Sequence, residues 1–144
     1  MKSRITTRLW RIVCVTVFAL ALIGCKGSDM SHNPKVVDRI TVDYIFNQFP
    51  KRLIESDSTL VTVEKVKITR QDYIPVALID CKWIDGTTSR ICYHFSYDDI
   101  CRVRESVEQG EVSTAELADK LQTSQFHISA MVDIINLAKQ APKE

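Results

Sequence analysis

The residues best suited to covalent or metal chemistry in this 144-residue chain are its five cysteines and three histidines. Cys92 and His94 stand two apart in an alternating stretch, so they share one strand face, with Asp80 expected opposite Cys92. A thiol beside an imidazole invites two chemistries, an activated nucleophile or a Cys/Cys/His metal site. Neither pattern is complete. Residues two apart on a strand point the same way without necessarily touching, and the close cysteine pairs of a zinc knuckle are absent. There is no Ser/His/Asp signature, no HExxH and no phosphate loop, and only four glycines are available to build a backbone cradle. We therefore assign no catalytic residue, no metal and no cofactor. His127, between Phe126 and Ile128, reads as a helix-surface or half-buried residue, and His32 as a solvated one.

Cys25 belongs to a different chemistry. Lys2, Arg4, Arg8 and Arg11 precede a run from Ile12 to Gly24 that contains only apolar or small residues and Thr. That run falls short of the roughly 20 apolar residues that span a bilayer and has the length of an export-signal core. It ends Leu22-Ile23-Gly24-Cys25, which resembles the lipobox of bacterial prolipoproteins. The resemblance implies removal of residues 1–24, a diacylglyceryl thioether on Cys25 and a fatty acyl group, such as palmitoyl, on its freed amine. Several chains together hold a membrane stably where one does not. Lys26 follows, not the Asp that resembles an inner-membrane retention signal, so the expected location is the outer membrane, facing the periplasm.

Processing alters the charge. Removing residues 1–24 takes four basic and no acidic residues from totals of 19 and 18, leaving 15 against 18 and a net charge of −3. A domain of that sign lacks the footprint of a nucleic-acid binder. It also lacks that of a protein held by anionic headgroups.

Cys14 would leave with the signal and Cys25 would be consumed by lipid, so Cys81, Cys92 and Cys101 remain as disulfide candidates in an oxidising compartment. Three pairings are possible. We favour Cys92 with Cys101, which joins the last strand to the following helix and leaves Cys81 buried and inert.

The elements that must position these groups follow from periodicity. Residues 25–33, the lipidated Cys and a polar stretch, read as a flexible tether reaching some 25 Å. A single domain, 34–144, follows. Asn33-Pro34 caps a first helix whose stripe is Val37, Ile40, Tyr44 and Ile45. Pro50 should stop it near Phe49, with one further turn over Lys51 to Glu55. Leu60 to Thr69 is strand-like, and its apolar parity switches between Val63 and Val66, which predicts either a β-bulge near Glu64-Lys65 or a break into two short strands. Arg70-Gln71-Asp72 is the expected turn.

Ile74 to Ile84 and Thr88 to Tyr97 then form a hairpin around Asp85-Gly86. A three-residue loop, Asp85 to Thr87, sets Ile79 opposite Tyr93 and Cys81 opposite Ile91. It places Ala77, Ile79, Cys81 and Trp83 with the aromatic face. A loop one residue longer or shorter would put Asp80 and Lys82 there instead. Asp98-Asp99 opens a helix with stripe Ile100, Val103 and Val107, ended by Gly110. Helices from Ser113 or Thr114 and from Ser124 to about Lys139 complete the chain. The expected class is α+β: an antiparallel meander of three to four strands covered on one face by an N-terminal helix and C-terminal helices.

Glu116 to Ile134 resembles the helix-turn-helix of bacterial regulators, but its second helix, Ser124 to Leu137, contains no Lys or Arg for phosphate contacts. It reads as a helical hairpin, with no nucleic-acid partner. Size and layout are similar to those of pilotins and of exclusion or stress-sensing lipoproteins, a likeness of architecture alone. The expected function is a membrane-anchored, non-enzymatic binding module with a protein partner in the envelope. The expected contact surfaces for that partner are the groove between the first helix and the sheet, and the outer sheet face around Lys82, Arg90 and His94. Two alternatives are a thiol enzyme using Cys92 and His94, and a carrier of an apolar ligand held between helix and sheet by Tyr44, Phe46, Phe49, Tyr93 and Phe95.

Overall fold

Asn33 begins the first long helix as its neighbours dictate. Its side chain accepts from the N–H groups of Lys35 and Val36, and Pro34 takes the first helical position, where no N–H is needed. The computed structural model describes residues 29–110 and 113–143. The signal 1–24 and Cys25 lie outside the described residues. Helix α1 (Pro34–Asn47) ends at Gln48, and α2 (Phe49–Ser56) starts immediately. Phe49 thus stays helical, contrary to expectation. The break falls one residue earlier, which puts Pro50 in a first turn that tolerates it.

Strand β1 (Leu60–Gln71) pairs with β2 (Ile74–Trp83), which pairs with β3 (Thr88–His94), all antiparallel, in the order β1-β2-β3. The register shifts between Val63 and Lys65, leaving Glu64 as the extra residue of the anticipated bulge. The first turn is Asp72-Tyr73, both at positive φ, because Arg70 and Gln71 still pair with Pro75 and Ile74. The second hairpin keeps the expected faces but slides by two residues. Ile79 opposes Ile91, Cys81 opposes Ser89, and Ile84 becomes an exposed loop residue. A slide of two preserves the facing of every side chain, so hydrophobic pattern alone does not distinguish the two registers.

The helices cover one face of the sheet. Ser96 caps α3 (Tyr97–Gln109), which ends at Gly110 in the left-handed region. Its buried arc is Ile100, Val103 and Arg104, while Val107, expected in the stripe, is 47% exposed. Ser113 and Glu116 form a capping box on α4 (Thr114–Lys120), and Ser124 caps α5 (Gln125–Gln140). Helix α5 packs against α1, α3 and α4, and buries His127, Ile128, Ala130, Met131, Ile134, Ile135 and Ala138. The face on which the regulator-like helix would read a groove is therefore core.

Ahead of α1, Met30–His32 forms a 3-10 turn where the sequence suggested the end of a flexible tether. Ser31 is fully buried, its N–H donating to Asp29 Oδ1 at 2.9 Å. Polar composition misled here because the turn is held from outside its own sequence. Arg104 Nη1 donates to the Ser31 carbonyl at 2.6 Å, and Tyr97 Oη to the His32 carbonyl at 2.9 Å.

Candidate functional site

The face of the sheet away from the helices is set by strand alternation. β3 contributes Arg90, Cys92 and His94, all exposed, and β2 contributes Val76, Leu78, Asp80 and Lys82. Beyond the bulge, β1 adds Lys65, Lys67 and Thr69 opposite Asp80, Leu78 and Val76. The three anticipated contact residues do share this face. Lys65 and Lys67 were missed, although their alternation with Val66 and Ile68 signals the same placement.

Two of the side chains are already engaged. Arg90 opposes Asp80 and grips it with Nε at 2.7 Å and Nη2 at 3.2 Å. Cys92 sits opposite Leu78 instead of Asp80. The Arg90 hydrogen bond holds the Asp80 carboxyl below its usual range against a smaller cost of desolvation, with Lys65 and Lys67 assisting. His94 Nε2 lies 2.9 Å from Gln71 Oε1 on the far edge strand. That bridge passes over β2 and closes on Val76, which is only 4% exposed despite its outward position. Lys65, Lys67, Lys82 and Arg90 against Asp80 make the face net positive on a domain that is net negative once residues 1–24 are removed.

Cys81, Cys92 and Cys101 are free thiols. The favoured Cys92–Cys101 disulfide is not formed, for a topological reason. Cys92 points away from the helices while α3, which carries Cys101, packs on the opposite face, so the sheet stands between them. Cys81 is buried on the inner face, where desolvation pushes its thiol pKa up and the nearby Asp80 adds to the shift. Among the described residues no group of three His, Cys, Asp or Glu is placed to hold a metal.

The aromatics assigned to a possible ligand carrier mostly fill the core. Phe49 packs edge-on to Tyr93 and Phe95 at 5.1 and 5.5 Å between centroids, with Phe126 at 5.2 Å. Phe46 is 49% exposed. A cavity of about 360 Å³ lies between the start of α1, the Asp72-Tyr73 turn and the start of α3, and of those five aromatics only Phe95 borders it.

Two polar clusters inside the helical layer were not legible beforehand. Asp133 Oδ2 accepts from Tyr44 Oη at 2.6 Å and from Arg52 Nε and Nη2 at 2.8 and 2.5 Å, tying α1, α2 and α5 together. Burial, then the Asp133 carboxylate, pushes the Tyr44 hydroxyl well above its usual pKa. His127 is 7% exposed, its Nδ1 2.7 Å from Thr123 Oγ1 and its ring edge-on to Phe95. Its Nε2 is buried without a hydrogen bond of good geometry, and desolvation lowers its pKa. No protein-family model, no curated protein and no solved structure matches the chain.

Proposed function

We propose that the chain is a bacterial envelope lipoprotein, acylated on Cys25 and held at the outer membrane, whose domain binds an envelope protein. The observation that carries the binding part is the outer sheet face. It is left uncovered by the helices and gathers Lys65, Lys67, Lys82 and Arg90 on an otherwise acidic domain. Charge of that kind selects partners and speeds encounter more than it adds affinity, so the fitting partner presents an acidic surface. A photo-crosslinker at Lys82 in living cells should trap one dominant partner, and Lys65→Glu with Lys67→Glu should abolish the adduct while the protein stays folded. An adduct unaffected by the double charge reversal would refute this reading.

A second reading rests on Cys92, an exposed free thiol flanked by Arg90 and His94 on the same face. Against it, the imidazole of His94 is committed to Gln71. A Cys92 thiolate that titrates well below the usual value of about 8.5 would favour this thiol chemistry.

A further inference from the structure

The folded domain starts much nearer to Cys25 than the polar composition of residues 26–33 implies. Asp29, Ser31 and His32 are clasped into the helical layer, and the turn they form packs against α1 and α5. Arg104 holds it from α3. Only residues 26–28 then separate Cys25 from Asp29. Four Cα steps span at most about 14 Å fully extended. The headgroup layer on one side of a bilayer takes up about 5–7 Å of that, since some 40–45 Å of total thickness encloses 30 Å of hydrocarbon. With the acyl groups of Cys25 in the hydrocarbon, Asp29 stands within about 10 Å of the headgroup surface.

On α3, Arg104 is followed at the next turn by Val107 and Glu108 on the same helix face. Glu108 pairs with Lys139 of the last turn of α5 at 3.2 Å. Burial opposes the charge of Asp29, and Ser31, His32 and Lys139 in turn support it. Val107, three residues beyond Arg104 on α3, is an apolar side chain left 47% exposed. Asp29, Glu108 and Lys139 leave the patch without a strong charge, which suits a mixed headgroup surface.

We propose that the mature protein meets its own bilayer through the patch of Asp29, Val107, Glu108 and Lys139, which turns the basic outer sheet face away from the membrane. The proposal rests on the lipoprotein reading. It also explains how a basic face can serve a protein partner. With a long leash that face would be free to settle on anionic lipid, whereas three residues hold the helical side down.

The test uses the processed, acylated protein purified from membranes and reconstituted in vesicles of phosphatidylethanolamine and phosphatidylglycerol carrying a headgroup nitroxide lipid. Trp83 is the tryptophan that remains after residues 1–24 are removed, so a Trp83→Phe background permits single reporters, Val107→Trp and Lys82→Trp. Nitroxide quenching should be several-fold stronger at position 107 than at position 82. Inserting about ten Gly and Ser residues after Gly27 should erase the difference, because such a linker is a flexible coil. Equal quenching at native leash length, or stronger quenching at position 82, overturns the orientation. An unacylated Cys25 and failure to float with vesicles overturn the lipoprotein reading itself and the orientation with it.

Discussion

Arg104 is 6% exposed, with one strong bond to the Ser31 carbonyl and a buried Nε that has no partner. Arg104→Met keeps most of the buried stem and removes the donors. The Ser31 carbonyl, in a fully buried residue, then loses its partner at about 1–3 kcal/mol. Part of this is returned because the unpartnered Nε no longer has to be desolvated, so the net loss should be about 1–2 kcal/mol. The loss should be local. The amides of Ser31, His32 and Asn33, bonded to Asp29 and Met30, should exchange about five- to thirty-fold faster. Tyr97→Phe removes only the more exposed bond to His32 and should cost less than about 1 kcal/mol. Hydrogen exchange read residue by residue, beside urea unfolding, gives both numbers. A lower global midpoint with unchanged exchange at residues 31–33 would refute the clasp and make Arg104 an ordinary core support.

Asp133→Ala should cost about 1–3 kcal/mol in urea because it strands the buried Tyr44 hydroxyl, whereas Arg52→Ala removes a half-exposed partner and should cost under about 1 kcal/mol. Similar losses would contradict that division. His127 has a folded pKa below its ordinary 6.5, so near that pH the unfolded chain binds more protons than the native one. Its contribution to stability is full above pH 6.5 and is lost as pH falls toward the folded value; Tm of His127→Gln should accordingly depend less on pH over that window than wild type, and parallel curves would exclude the assignment. In a native thiol titration Cys92 should react first and Cys81 only after unfolding. Early modification of Cys81 would contradict its burial beneath the sheet.

The parts of the fold that sequence made legible are those in which one residue's facing decides. The parity switch from Val63 to Val66 announces a bulge or a strand break, since either lets a strand with one buried face change parity, and the continuous pairing on both sides makes it the bulge. The outer face of Arg90, Cys92 and His94 follows from the apolar alternation of Ile91, Tyr93 and Phe95. Pairings across that face needed the register to the residue, so the Asp80–Arg90 and Gln71–His94 contacts were out of reach. Buried Ser31, Thr41 and Arg104 escaped for another reason. Thr41 and Arg104 donate to backbone carbonyls and Ser31 to the Asp29 carboxylate, contacts that leave no trace in hydrophobic periodicity. Val107 shows the converse, an apolar residue on the same helix face as Ile100 and Val103 that stays half-exposed at the last turn of α3.

An envelope role of the kind proposed depends on Cys25. The most direct measurement is the intact mass and N-terminal fragment spectrum of the protein extracted from membranes. The expected species begins at Cys25 and carries a diacylglyceryl thioether and an acylated amine. A chain that retains residues 1–24, or one that begins at an unmodified Cys25, would contradict it.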